Sequence, residues 1–347
     1  YKSIESNKVN VFFIEEPESH MHPQMQNVFI RFLKNYYVDK KLQGLITTHS
    51  NEIARMVGLD SLRVIRQTEK SKSELFDLSK FRNSIKKKKI ENLDDESEFL
   101  LANFFDWFFE IGYSELIFAD KVILYEGDSE RLYIRKLIKL PEFSALNDSY
   151  IAFIQVGGAY AHNYLPMLRM LKMKTLIITD LDYDKKFLSM EEVKAEDSNT
   201  TNATINYCYR VAYPDRGEKY VPTIKELYDF QVKGKNILYN GLIYLAFQDE
   251  NSTARTLEEA MLKKILGFDV FHMIKRSEWK KIRKDKKLTF SIPDDKEGEK
   301  DSEYSIRKIV EATANNKTDF MYSVILSENE SNMLPDYIKK GLLWLMK

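Results

Sequence analysis

Cysteine is almost absent from this sequence of 347 residues, which contains only Cys208. One cysteine excludes a disulfide framework and any zinc site built from cysteines, and it is typical of a reducing compartment. An excess of charge of either sign is also lacking, because 53 Lys and Arg residues balance 53 Asp and Glu residues. The net charge therefore neither favours nor excludes a polyanionic partner, and any surface that binds nucleic acid must be local.

Long apolar runs are missing as well. The sequence contains no stretch of about 18 uncharged apolar residues and no signal peptide, so we expect a soluble, cytoplasmic protein without membrane contact. The chain begins with Tyr1 rather than Met, and we expect it to be part of a longer protein. Its length exceeds what one hydrophobic core usually organises, which favours two domains.

The order of apolar and polar segments predicts an α/β protein. Residues 1–69 contain two apolar strands, residues 70–100 are polar and predict a linker, and residues 101–347 alternate strands with helices. Such alternation is typical of a parallel sheet with helices on both faces. Residues 184–235 are predicted to be a polar, irregular insertion, and the chain after about residue 303 is predicted to be mainly helical.

Acidic residues follow two of the predicted strands. The strand in KVILYEGDSE ends at Glu126, and the strand in TLIITDLD ends at Asp180 and Asp182. The carboxyl ends of parallel strands form the crevice in which ligands bind. Strand alternation predicts that Asp180 and Asp182 point to the same side, and Glu130, on the helix after Glu126, can face the same cleft.

Four acids in one cleft repel one another unless cations neutralise them. Carboxylate oxygens suit Mg²⁺ or Mn²⁺, and two such ions about 4 Å apart can hold both reacting oxygens of a phosphodiester displacement. Any one of these acids could instead be a helix cap or a solvated loop residue. The combination of E-G-x-x-E with a later D-x-D predicts a two-metal site at Glu126, Glu130, Asp180 and Asp182.

These motifs resemble the Toprim fold, and in particular the Toprim domain of the OLD (overcoming lysogenization defect) family of nucleases. The matching stretches are FADKVILYEG, VGG at 156–158, TTN at 200–202, ARTLEEA at 254–260, NKTDF at 316–320 and the C-terminal LPDYIKKGLLWL. The resemblance implies that Glu258 joins the metal ligands, with Glu259 as the other acid available in that helix. It also implies that Lys317 is a catalytic cation close to the scissile phosphate.

A second group of motifs resembles part of an ABC-type ATPase, in the form that the OLD family uses. VFFIEEPESHMHP followed by LITTHS corresponds to the Walker B and switch regions. The resemblance implies that Glu15 stands at the Mg²⁺ position, Glu16 polarises the attacking water and His49 senses the γ-phosphate of ATP. Because the sequence contains no phosphate-binding loop G-x-x-x-x-G-K-[ST], we expect no ATP hydrolysis by this incomplete ATPase lobe alone.

One basic stretch is a candidate for contact with nucleic acid. KRSEWKKIRKDKK, at 275–287, contains eight Lys or Arg residues and one Trp. Basic side chains release counterions from phosphates and an indole can stack on a base, so we expect DNA contacts here, notably from Lys280, Lys281, Arg283 and Lys284. The alternative is an ordinary solvated face of a charged helix.

The leading hypothesis from these patterns is a metal-dependent DNA endonuclease or nickase regulated by an ATPase domain. The resemblance further implies homo-oligomers, formed through the ATPase domain, the Toprim domain or both, and a role in anti-phage defence, as in Gabija-type and retron-associated systems, with a partner protein or nucleic acid. Two alternatives remain open: a topoisomerase or primase with a Toprim domain, and an ABC-like DNA-tethering or repair protein whose Toprim domain does not cleave.

Overall fold

The computed structural model of the protein describes residues 11–39, 42–69, 71–87, 95–110, 113–184, 186, 189–195 and 198–347. The chain divides into two compact units, residues 1–119 and 120–347. No helix in the described ranges is long and apolar enough to cross a membrane.

The first unit contains two small sheets and several helices. Its strands are β1 (Val11–Glu15), β2 (Gln43–Thr47), β3 (Arg63–Glu69) and β4 (Lys72–Asp77). Its helices are α1 (Pro23–Asp39), α2 (Asn51–Val57), α3 (Leu78–Lys87) and α4 (Asp95–Glu110). β1 and β2 pair in parallel, with Glu15 opposite Thr47, and β3 and β4 form an antiparallel hairpin. Part of the predicted linker therefore forms β4 and α3.

Local signals explain how the first unit is built around β1 and β2. Ser50 begins α2, because its side chain accepts a hydrogen bond from the Ile53 amide at 3.3 Å, as expected of an N-cap serine. Helices α1 and α2 then bury Ile30, Leu33 and Ile53 in one small core. Ile14 of β1 and Ile46 of β2 pack against this core.

The second unit is organised around a five-stranded sheet. Its strands are β5 (Lys121–Tyr125), β6 (Ile151–Gln155), β7 (Lys174–Ile178), β8 (Ile237–Leu238) and β9 (Ile243–Ala246), in the order β6-β5-β7-β9-β8. The first four strands in that order are parallel, and β8 is antiparallel to β9. The prediction of an α/β fold with a parallel sheet is confirmed.

Helices surround this sheet and complete the second unit. They are α5 (Asp128–Leu137), α6 (Leu165–Met170), α7 (Met190–Val193), α8 (Ala203–Ala212), α9 (Ile224–Val232), α10 (Leu257–Leu266), α11 (Arg276–Asp285), α12 (Ile306–Ala312), α13 (Lys317–Leu326) and α14 (Asp336–Met346). A short ladder joins β10 (Ile274–Lys275) to β11 (Glu303–Tyr304). The helical character predicted for the C-terminal part is confirmed.

The central strands are buried on both faces, as continuous apolar runs predict. Ile123 on β5 and Leu176 on β7 lie opposite each other in the ladder and are both fully buried. Helix α14 packs on this layer through Gly341, where a Cβ atom would stand only 2.7 Å from Cδ1 of Leu176. A glycine is therefore needed for the close approach of this helix to the sheet.

The segment predicted as an irregular insertion contains the three helices α7, α8 and α9, so the expectation of irregular structure is wrong for these stretches. Its two longer helices, α8 and α9, begin at the capping side chains of Asn202 and Thr223. Both helices bury apolar faces that include Ile205 and Phe230. Polar residues dominate the outer faces and the connecting loops, which hid the helical period in the sequence.

Candidate metal centre

The acids after β5 and β7 meet at the carboxyl edge of the sheet. Strand β7 ends at Ile178, so the prediction that the strand continues to Asp182 is wrong. Asp182 has a φ of 48°, in the left-handed region, and its Oδ1 accepts a hydrogen bond at 2.9 Å from Nη2 of Arg255. A turn rather than strand alternation therefore places Asp182, although its charge still raises the pKa values of Glu126 and Asp180.

Glu126 is held through a single carboxylate oxygen. Its Oε1 accepts hydrogen bonds from the hydroxyl of Thr179, from the amide of Asp180 at 3.2 Å and from Nδ2 of Asn202 at 3.3 Å. Burial raises the pKa of Glu126 above its usual range, although these three donors oppose that shift. The carboxylate is thus fixed in a site where its negative charge is unfavourable without a cation.

Asp180 is a second acid of the cluster and is buried. Its Oδ1 accepts hydrogen bonds from the Leu257 amide at 2.9 Å and from Nε2 of Gln248 at 2.7 Å. Gln248 follows β9 and also accepts a hydrogen bond from the Leu181 amide at 2.6 Å. Burial, followed by the charges of Glu126 and Glu130, raises the pKa of Asp180 well above its usual range.

Glu130 caps the helix that follows Glu126 and belongs to the same cluster. Its Oε2 accepts a hydrogen bond at 3.1 Å from the amide of Gly127, one of the amides left unpaired at the start of α5. Burial and then the charge of Glu258 raise the pKa of Glu130 to about 7. The charge of Glu258 on α10 therefore acts on Glu130 on α5.

Lys317 is the cation associated with this cluster. Its Nζ lies 3.1 Å from Oε2 of Glu258, which is buried, whereas 39% of the lysine side chain is exposed. Burial lowers the pKa of Lys317, but Glu258 and Asp180 outweigh this effect and the net shift is upward. Lys317 therefore remains charged and partly open to a ligand beside the acids.

The neighbouring acid, Glu259, has a different environment. Its Oε1 lies 3.2 Å from Nε of Arg307, and both side chains are buried. Its Oε2 accepts a hydrogen bond at 2.8 Å from the amide of Arg255. The structure therefore brings Glu258 to the acid cluster and commits Glu259 to an ion pair.

The carboxylate oxygens of this acid cluster are the type of ligand that a hard divalent cation such as Mg²⁺ prefers. The described residues include no group of three or more His, Cys, Asp or Glu side chains already placed to coordinate one ion. Glu126, Glu130 and Asp180 accept hydrogen bonds from nearby protein donors, which fix their orientation. The Oγ1 of Thr256, the N-cap residue of α10, is buried and has no hydrogen-bond partner among the described residues.

Several residues of this site were missed by reasoning from sequence. Thr179 and Gln248 hold Glu126 and Asp180, and Thr256, two residues before Glu258, has a buried hydroxyl without a hydrogen-bond partner among the described residues. A usable signal existed for Gln248, because IYLAF is a short apolar run that ends in QDE. Reading that run as one more parallel strand would have placed Gln248 at the same edge.

The predicted ATPase residues form a separate group in the first unit. Nε2 of His49 lies 3.3 Å from Oε1 of Glu16, and Glu15 ends β1 in register with Thr47 of β2. Oε1 of Glu18 accepts hydrogen bonds at 2.7 Å from the Thr48 hydroxyl and from the His49 amide. Glu18, which the sequence analysis did not single out, therefore links the two loops that carry Glu16 and His49.

The basic stretch forms helix α11, and its four named cations are exposed. Lys280, Lys281, Arg283 and Lys284 all face solvent, although Arg283 also donates a hydrogen bond to the Phe290 carbonyl at 3.2 Å. The proposed stacking of the indole on a base is wrong. Trp279 is fully buried and donates its indole N–H to the Tyr304 carbonyl at 2.8 Å, because the apolar ring completes the core beneath the helix.

Comparisons with known families agree with both groups of motifs. Residues 117–182 match the family model of the TOPRIM domain of overcoming lysogenization defect protein-like proteins. Residues 2–54 match the model of an AAA ATPase domain. The chain thus combines an ATPase segment with a Toprim domain. The Toprim segment is similar to that of overcoming lysogenization defect protein-like proteins, as the sequence motifs indicated.

Similar proteins include two nucleases. Endonuclease GajA of Bacillus cereus (strain HuB5-5) is 28% identical over 372 residues, which cover 99% of this chain and 49% of the relative. The OLD nuclease of Thermus scotoductus (strain ATCC 700910 / SA-01) is 28% identical over 151 residues, or 44% of this chain and 26% of the relative. The chain therefore spans about half the length of the GajA relative that it matches.

A solved structure of the C-terminal region of the Burkholderia pseudomallei OLD protein also matches. It is 16% identical and has a TM-score of 0.36, and the match covers 66% of this chain and 98% of that chain.

Proposed function

We propose that this chain contains the nuclease centre of a metal-dependent DNA endonuclease or nickase of the OLD type. The observation that carries the proposal is the convergence of Glu126, Glu130, Asp180 and Glu258 beside Lys317 at the carboxyl edge of the parallel sheet. Burial, and then the charges of neighbouring acids, raise the pKa values of Glu126, Glu130 and Asp180, and carboxylates perturbed in this way are a common feature of functional sites. The two nuclease relatives support the same chemistry.

Each residue has a proposed role. Glu126, Glu130, Asp180 and Glu258 would hold Mg²⁺ or Mn²⁺, with Thr256 as a neutral oxygen ligand. Bound ions of this kind polarise a phosphodiester and lower the pKa of water. Asp182 would serve either as a ligand, after release from Arg255, or as a further negative charge. Lys317 would stabilise the charge that develops on the phosphate oxygens.

The ATPase segment is proposed to regulate this centre. Glu15 would contribute to a Mg²⁺ site for ATP, Glu16 would orient the attacking water, and His49, within ion-pair distance of Glu16, would respond to the γ-phosphate. Homo-oligomers, a partner in anti-phage defence and a cytoplasmic DNA substrate follow only from the resemblance and remain proposals. The exposed cations of α11 are the proposed DNA contacts.

A cleavage assay on supercoiled plasmid tests the proposal. The chain is incubated with plasmid and with Mn²⁺, Mg²⁺ or EDTA, and nicked and linear products are quantified. We expect metal-dependent conversion, which Glu126→Ala and Asp180→Ala abolish while the far-ultraviolet circular dichroism stays unchanged. Plasmid that is bound but never cut in either metal would instead support the non-cleaving, DNA-tethering alternative.

A further inference from the structure

Three hydrogen bonds converge on Oε1 of Glu126, and within the described residues no hydrogen bond is made to its Oε2. The donors are the Thr179 hydroxyl, the Asp180 amide and the side-chain amide of Asn202, and each of them reaches Oε1. A carboxylate held in this way cannot rotate without losing three bonds at once. Its Oε2 therefore has a fixed direction.

Asn202 organises this arrangement through a continuous chain of donors. Its Nδ2 lies 2.6 Å from the Thr179 hydroxyl, which in turn donates to Glu126, and 2.9 Å from the Asp180 carbonyl. The side chain is almost completely buried. One amide group thus contacts the acid itself, the hydroxyl that holds it and the backbone of the next acid.

The other end of the Asn202 side chain begins helix α8. Its Oδ1 accepts a hydrogen bond at 3.1 Å from the Ile205 amide, the usual geometry of an N-cap. The acceptor oxygen is therefore used by the helix and the donor nitrogen by the acids. The two roles can be separated by substitution, because serine retains a cap acceptor but lacks the amide donor.

We propose that Asn202 is a positioning residue of the metal centre, which aims Oε2 of Glu126 at the cation by holding Oε1 together with Thr179. The inference rests on the proposed function and assigns a purpose to the TTN motif at 200–202. Partners that orient a metal ligand typically affect metal affinity or activity by about 10- to 100-fold. Loss of the Asn202 side chain should therefore lower the affinity for the metal ion, which can be measured without any cleavage reaction.

Isothermal titration calorimetry with Mn²⁺ tests this role on the full chain, without DNA. We expect Asn202→Ser to weaken Mn²⁺ binding about tenfold or more while the protein remains folded. Thr179→Val, which removes the hydroxyl and keeps a β-branched side chain, should have a similar effect. The double variant should lose less than the product of the two single losses, because both residues act through the same oxygen.

A cap of the same kind elsewhere in the second unit supplies the control. Thr223 begins α9 by accepting a hydrogen bond from the Glu226 amide at 3.2 Å. Thr223→Ala should lower the melting temperature through loss of a cap, yet leave Mn²⁺ affinity within about twofold of the wild type. An equal loss of Mn²⁺ affinity in Thr223→Ala would show that the effect of Asn202 is general destabilisation, and would overturn its positioning role.

The outcomes for the two proposals are distinct. If Asn202→Ser does not fold, Thr179→Val carries the test alone. Wild-type affinity in the folded variants, measured against a wild type that binds Mn²⁺, would overturn the role of Asn202 and leave the metal centre intact. A wild-type chain that binds no Mn²⁺ would overturn the proposed metal centre itself.

Discussion

Glu259 forms a buried ion pair with Arg307, at 3.2 Å between Oε1 and Nε, whereas the adjacent Glu258 lies 3.1 Å from Nζ of Lys317. Consecutive positions on a helix differ by about 100° in direction, so α10 presents its two acids to different surroundings. One acid joins the carboxylate cluster and the other joins a cation in the core. Glu258 is therefore the candidate metal ligand, and Glu259 is a structural residue.

Amide substitutions at these two positions should have opposite consequences. Glu259→Gln leaves Arg307 buried without its charged partner, and we expect it to lower the free energy of unfolding by about 3–5 kcal/mol. Glu258→Gln should retain most of the stability and weaken Mn²⁺ binding. Urea denaturation and Mn²⁺ calorimetry on both variants make the comparison.

The same two measurements can also contradict this assignment. If Glu259→Gln unfolds at the wild-type urea concentration but loses Mn²⁺ binding, the two residues have been assigned the wrong way round.

The metal-free protein should become less stable as the pH rises through the acid range. Burial and the charge of Glu258 raise the pKa of Glu130 from its ordinary value of 4.5 to about 7 in the folded state. The folded protein then binds more protons than the unfolded chain between these values, so its free energy of unfolding falls across that window. For Glu130 alone the loss is on the order of 3 kcal/mol.

Glu130→Gln is the matched variant for this pH dependence. A glutamine oxygen can still accept the hydrogen bond from the Gly127 amide, but it carries no charge. We expect the variant to melt at a higher temperature than the wild type at pH 8 in EDTA, with the difference shrinking toward pH 4. Identical melting curves for the two proteins at pH 8 would show that the charge of Glu130 is already neutralised by the protein.

Removal of the Lys317 ammonium group should affect the reaction more than binding. One preorganised charge at a developing oxyanion typically accounts for about 10²- to 10³-fold in rate, so Lys317→Ala should slow plasmid cleavage by that factor. DNA binding measured by fluorescence anisotropy in EDTA should change little. Lys308→Ala, which removes an exposed lysine paired with Glu311 on α12, is the control; a comparable loss in that variant would remove any special role for Lys317.

Replacement of three exposed lysines of α11 should reduce the salt dependence of DNA binding. If Lys280, Lys281 and Lys284 contact phosphates, the plot of log K against log [salt] should be less steep for the triple alanine variant. The magnitude of its negative slope should fall by about 3. Arg283 is left unchanged because its guanidinium contacts the Phe290 carbonyl. An equal change of slope in the control Lys225→Ala/Lys233→Ala/Lys235→Ala would show that only the total charge matters.

The acids of the metal centre were predictable to different degrees. Glu126 directly follows the apolar strand β5, and Asp180 lies two residues after the end of β7. Because the carboxyl ends of parallel strands share an edge, the convergence of these two acids follows from the strand pattern. The position of Asp182 was not predictable in the same way. The strand ends four residues earlier, and Asp182 adopts a left-handed turn that brings it to Arg255.

Sequence by itself determined the strand and helix periods, the sheet edge that collects acids, and the two groups of motifs that define an ATPase–Toprim chain. Only the tertiary structure decided how the side chains at that edge are held. Asn202 lies 76 residues from Glu126, and Arg307 lies 48 residues from Glu259. No local pattern encodes such pairs, because each depends on which buried donor the packing of distant helices leaves closest to a carboxylate.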